Sequence, residues 1–252
     1  MKKTQKIVIC LVVAVAILAM VLSACDLTRK VNGAEVQFQK KLTSAEKYSF
    51  DMHLNIQSNG TESNLDLSCY KDGNDYAYTF YAPDTRAVQY RRLYADNNLY
   101  EYAEQTAVLN AGTYYTNAGV PYTDDDNLMY AMTQKIMLAS YATLLMDGVK
   151  DKVNGVDTYR YDFALKGNQY SLWFDDENMV KISATFISTD SSGNTTSETY
   201  TAVFSNYVFG EVAAAPFTRP SDMGIGYVQS PVSIEAWMTI MTQFANRASN
   251  WL

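Results

Sequence analysis

The chain reads as an α+β fold, a single curved antiparallel sheet of about 9–11 strands with helices packed in its concave face. Three observations predict it. Between Phe50 and Phe204, runs of alternating apolar and polar residues follow one another with a turn sequence between each. Two such meanders flank a helical stretch that is apolar on most sides, and such a helix must be buried on most sides. Neither meander has a partner layer large enough to cover it alone, so the economical solution joins both into one sheet around the helices.

Lys2, Lys3 and Lys6 form a basic head before sixteen uninterrupted apolar residues, Ile7 to Leu22. A helix crossing a hydrocarbon core of ~30 Å takes roughly 20 apolar residues. A shorter run behind a basic head has the length of a signal-peptide core. It ends in Leu22-Ser23-Ala24-Cys25, which resembles the bacterial lipobox, where a small residue precedes an obligatory cysteine. The resemblance implies that residues 1–24 are a lipoprotein signal peptide cut just before Cys25. It also implies that the Cys25 thiol carries a diacylglycerol and that the new N-terminus is often acylated. Two or three acyl chains anchor stably, at ~0.8 kcal/mol per buried methylene. The expected place is the extracytoplasmic face of a cell membrane; the alternative is an uncleaved N-terminal anchor.

Residues 25–33 hold the lipidated cysteine and a short polar tether, whose eight residues after Cys25 reach at most roughly 28 Å. Residues 34–47 predict a helix, with Phe38, Leu42 and Ala45 at helical spacing. The period then becomes two: Phe50, Met52, Leu54 and Ile56, then Leu65, Leu67 and Cys69 after Asn59-Gly60, then Tyr76, Tyr78 and Phe80 after Asp72-Gly73-Asn74. Two more strands are expected near 87–94 and 98–103, and 104–123 reads as irregular. Residues 128–146 predict the buried helix, behind Asp124-Asp125-Asp126. The second meander carries Tyr159, Tyr161, Phe163 and Leu165, then Tyr170, Leu172 and Phe174, then Ile182, Ala184 and Phe186, then Tyr200, Ala202 and Phe204. Residues 34–210 thus form the expected sheet domain. Residues 211–230, rich in Ala, Pro and Gly, read as a wandering segment. Ser230-Pro231 opens an amphipathic helix over 231–252 as N-cap and first-turn residue, with Trp237, Ile240, Met241, Phe244, Ala248 and Trp251 on one face.

From Cys25 on, the net charge moves from −7 to −10, because three lysines and no acids lie before it. An acidic chain is a poor candidate for nucleic acid. Cys69 is left without an intramolecular partner, so packing rather than disulfides must supply stability. Twenty tyrosines suit strands and amphipathic surfaces.

The lipobox, the helix–meander–helix–meander order and the run YRYDFALKGNQYSLWFDDENMVKISATF at 159–186 together resemble the half-barrel lipoprotein carriers. That group includes the periplasmic lipoprotein carrier and the mycobacterial glycolipid-carrying lipoproteins, and the resemblance covers most of 34–210. It implies a half-barrel whose sheet and lid helices enclose an apolar cavity for acyl chains. The terminal helix 231–251 is an addition to that pattern.

No catalytic residue, metal site or cofactor is expected. His53, the only histidine, lies on the polar phase of its strand, and no G-x-S-x-G elbow supplies a serine to it. Ser44-Ala-Glu-Lys47 matches S-x-x-K in letters but fits a helix end. Asp124-Asp125-Asp126 suits a helix N-terminus as well as a hard cation, and Asp175-Asp176-Glu177 reads as a turn first. Met129, Met132, Met137 and Met146 on the buried helix, with Met52 opposite, suit either ordinary core filling or a surface that repacks around ligands. Two functional expectations follow, neither enzymatic. One is a membrane-anchored module binding a lipid or other hydrophobic ligand, lined by Phe50, Met52, Leu54, Tyr78, Phe163 and Leu172, with Met132 and Leu144 from the helix. The other is a filled-core module that docks an envelope protein through Trp237, Phe244 and Trp251 or through the polar sheet face.

Overall fold

A computed structural model describes residues 34–58, 60–82, 85–104, 112–119, 148–165, 167–189, 191–219 and 226–231. The expected helix at 128–146, the expected helix beyond Pro231, Cys25 and Asp124-Asp125-Asp126 lie outside the described residues. Helix α1 (Ala34–Ser44) is followed by strands β1 (Lys47–Ser58), β2 (Thr61–Asp72), β3 (Asp75–Tyr81), β4 (Val88–Ala95), β5 (Asn98–Glu104) and β6 (Gly112–Ala118). Then come β7 (Val149–Val153), β8 (Val156–Leu165), β9 (Asn168–Phe174), β10 (Met179–Thr189), β11 (Thr195–Phe209), a 3-10 turn (Ala215–Phe217) and β12 (Tyr227–Gln229).

The twelve strands of the described residues form one large open curved sheet in the order β12-β6-β5-β4-β3-β2-β1-β11-β10-β9-β8-β7. The count corrects the expected 9–11. β6, β7 and β12 are the additions, and they sit at or beside the sheet's two edges, where strands are short and only partly covered. Both meanders are antiparallel, and they join through the antiparallel pair β1 and β11, from Tyr48 opposite Phe209 to Ser58 opposite Glu198. Only β12 runs parallel to its neighbour, β6.

The hairpins carry the turn chemistry their geometry demands. Asp96 and Asn97 both take positive φ (50° and 60°), as do Asn154 and Gly155 (50° and 84°). That pair of left-handed residues is the two-residue turn whose twist matches antiparallel strands. The β1–β11 register slips between Ser49 and Asp51, where Asn206 stands at φ 54°. One extra residue there reverses the alternation of β11. Tyr207 and Phe209 therefore follow Phe204 onto the same face, and their rings stack at 6.1 Å.

α1 sets Phe38, fully buried, against Phe174 and Tyr207 with ring centroids 6.3 and 5.3 Å apart. Lys41 reaches Glu177 at 3.6 Å. The helix stops at Ser44, three residues short of the expected 47, where the Ser44 hydroxyl donates to the Lys40 carbonyl at 2.7 Å. Ser44 thus closes the last turn of the helix.

Candidate functional site

Strict alternation puts one set of side chains on a single apolar face, and the strand register lines them up in rows. One row runs Tyr161, Leu172, Ile182, Ala202, Leu54 and Leu65 across β8, β9, β10, β11, β1 and β2. A second runs Phe204, Met52, Leu67, Phe80 and Tyr90 across β11, β1, β2, β3 and β4. A third runs Phe50, Cys69, Tyr78, Arg92 and Glu101. Six of the expected lining residues are thereby placed together: Phe50, Met52, Leu54, Tyr78 and Leu172 are buried on this face, and Phe163 is half-buried beside Tyr170, stacked at 5.2 Å. Met132 and Leu144, and the docking candidates Trp237, Phe244 and Trp251, lie outside the described residues.

Over β2 and β11 burial keeps the titratable side chains of this face uncharged. Cys69, fully buried, has its thiol pushed well above the ordinary value, first by loss of solvent and then by the Asp51 charge. A thiol held neutral in this way is a poor nucleophile. Burial likewise raises Tyr207, with smaller contributions from Cys69, Asp175 and Tyr48, and pushes Tyr200 up to about 12. The Tyr207 hydroxyl donates to the Met179 carbonyl at 2.9 Å.

The third row then changes character. Arg92 and Glu101 stand opposite one another on β4 and β5, at 8% and 2% exposure. Burying two charges is costly unless both are well compensated, so this point marks where the apolar face acquires polarity. Sequence reasoning missed it. The signal was present in the phase of β4, where Tyr90, Arg92 and Tyr94 share one side.

The opposite face is polar over β7–β11 and β1–β2. The Trp173 indole N–H donates to Asp151 at 2.9 Å, Arg160 reaches both Asp151 (2.8 Å) and Asp162 (2.9 Å), and Lys181 lies 4.3 Å from the Trp173 ring centre. The Trp173 bond, then the Lys152 backbone N–H and Arg160, hold the Asp151 carboxyl below its usual range. His53 stands on this face, exposed, with Nδ1 2.7 Å from Asp66. Asp175 closes the β9–β10 turn by accepting from the Glu177 and Asn178 backbone N–H groups at 2.8 and 2.6 Å.

Over β3–β6 the same outer face is apolar and covered. Ala77, Leu93, Ala95 and Tyr102 form a second buried cluster, packed against Tyr70, Tyr100, Tyr114, Phe217 and Tyr227. The cover is the segment expected to wander. After Gly210 it crosses to β3 and β4 at the 3-10 turn and ends as β12, the edge strand beside β6. Arg219 pairs with Asp96, Tyr102 donates to the Thr218 carbonyl at 3.4 Å, and Tyr227 donates to Glu104 at 2.6 Å. Gly112 lets the edge close, because a Cβ there would run into the Ala103 carbonyl.

No family model and no curated protein matches the chain. Among solved structures it is similar to a LolA superfamily protein from Nitrosomonas europaea, at 10% identity and a TM-score of 0.31, over 75% of this chain and 99% of that one. It is also similar to a DUF1329 family protein from Desulfovibrio piger, at 12% identity and 0.31, over 79% and 98%. A third likeness is to the lipoprotein LppX from Mycobacterium tuberculosis, at 9% identity and 0.35, over 71% and 95%. A mycobacterial lipoprotein thus stands among the structures this chain is similar to, as the resemblance in the sequence implied.

Proposed function

We propose that the chain is a membrane-anchored, extracytoplasmic lipoprotein that binds or carries a lipid or other hydrophobic ligand without catalysis. The observation that carries this reading is the one-sided apolar face, continuous from β8 through β11 and β1 to β3. Phe50, Met52, Leu54, Tyr78, Phe163 and Leu172 offer dispersion and burial there, worth about 25 cal/mol per Å² of apolar area. In this reading Met132 and Leu144, on the helix expected at 128–146, complete the lining. The Arg92–Glu101 end gives the face a polar limit, which suits a ligand with an apolar body and a polar head. Cys25, lipidated, holds the domain to its membrane through the 26–33 tether.

Anchoring is tested by Cys25→Ser, which should move the chain from the membrane fraction to the soluble fraction and remove the acyl mass from the N-terminal peptide. An unchanged distribution would sink the anchor. Ligand binding is tested by native mass spectrometry with solvent extraction of the purified protein.

A second reading has its own support. At one end of the apolar face Tyr48, Phe50, Phe204, Tyr207 and Phe209 pack ring against ring at 5.4–6.5 Å beneath Phe38. If this filling extends across the face, the chain is an envelope interaction module that docks through Trp237, Phe244 and Trp251 or the polar face. Deleting 231–252 would then abolish partner capture and leave the fold intact.

A further inference from the structure

Two neighbouring hairpins end in the same chemistry. The β1–β2 hairpin and the β10–β11 hairpin lie side by side because Gln57 pairs with Thr199 and Ser58 with Glu198. Past Ser58 the two arms part, and Thr195 and Thr196 pair only with β10. Between the arms lies a cleft of about 500 Å³, within the usual size of ligand sites. Its chemistry is unlike the usual apolar lining. Ser58, Thr61, Thr195, Thr196 and Thr199 and the acidic Glu62 line it, and its described walls hold no aliphatic, aromatic or basic side chain.

The groups are also held in place. Cross-strand hydroxyl pairs join Thr185 to Thr199 at 2.9 Å and Ser188 to Thr196 at 2.8 Å. Each hydroxyl has one donor and two acceptor sites, so a paired one keeps capacity for a ligand. Glu62 accepts from the Asn55 amide at 2.6 Å and the Asn64 amide at 3.5 Å, which leaves acceptor sites on a fixed carboxylate. An apolar ligand would strand these polar groups without partners. An anionic ligand would meet a carboxylate and no cation. A neutral ligand dense in hydroxyls and amides satisfies every group present.

We propose that this cleft is a binding site for a neutral saccharide chain, separate from the apolar face and independent of what that face holds. The test is threonine-methyl NMR on the full chain in lipid nanodiscs, titrated with neutral oligosaccharides of glucose, mannose and N-acetylglucosamine. Heparin serves as the anionic counterpart. The expected result is shifts confined to Thr61, Thr195, Thr196 and Thr199 with at least one neutral oligosaccharide and none with heparin. The double variant Thr61→Val, Thr196→Val, whose changes are exposed and keep the side-chain shape, should bind roughly tenfold more weakly as two hydrogen bonds are lost. It is read at Thr195 and Thr199. A second arm displays the same saccharide on a lipid in vesicles. Binding of the free chain assigns a free glycan, and binding only in the vesicle arm assigns a lipid headgroup. Silence of the four methyls in both arms, equal binding of heparin, or full affinity in the double variant would each overturn the site.

Discussion

Asn206 decides which way the end of β11 faces. At φ 54° it adopts the left-handed conformation that costs most L-residues roughly 1–2 kcal/mol, and its amide donates to Asp51 at 2.7 Å. Asn206→Gly should therefore leave stability nearly unchanged, whereas Asn206→Val should lower it by about 1–2 kcal/mol in denaturant unfolding. Leu172, fully buried mid-face, should cost about 2–5 kcal/mol when cut to Ala. Cys69 gives the pH dependence. Its folded pKa is raised above the ordinary 9.0, so above that pH the unfolded chain releases a proton that the folded chain retains. Stability then falls as pH rises, by about 1.4 kcal/mol per unit for this one group. Urea titrations from pH 8 to 10 should show a shallower decline for Cys69→Ala than for the parent, and parallel declines would contradict the assignment. Arg92 and Glu101 were readable in the phases of β4 and β5. Asn206 was half-readable: the step from Phe204 to Tyr207 and Phe209 breaks the period of two, and a break of one residue is the mark of a bulge.

Among the elements, the long central strands were legible because one side of each is wet and the other dry, which writes a period of two into the sequence. β6 and β12 were not. GTYYTNA carries tyrosines on both phases because Tyr114 packs against the outer cluster while Tyr115 lies across from Glu101 on the other face. The segment 211–230 reads as wandering for its Pro, Gly and Ala, yet its large residues Phe217 and Tyr227 cover the outer cluster. Truncating both to Ala should bare Tyr102 and Leu93 and raise amide exchange in β4–β6 while β8–β10 stay protected. Equal exchange in both halves would mean that the segment covers nothing that matters. Gly112→Ala should act on the same edge, parting the start of β6 from β5 through the collision with the Ala103 carbonyl.

As a whole, the molecule is two meanders joined at β1 and β11 into one sheet with an apolar side. That join was legible only as an inference from coverage, since no local pattern says which strands of separate meanders meet. The candidate ligand face was legible residue by residue, because every strand contributes its inward phase. The saccharide cleft was not, because it exists only once the 57–62 and 195–199 tips lie side by side. The proposed function stands on a hydrophobic ligand held against the apolar face. Native mass spectrometry of the protein purified from its membrane tests it most directly, with covalent lipid at Cys25 accounted for separately. The expected result is a further, non-covalent adduct that organic solvent removes and that yields a lipid or other apolar molecule. A chain that flies with its covalent mass alone, and an extract that contains nothing, would contradict it.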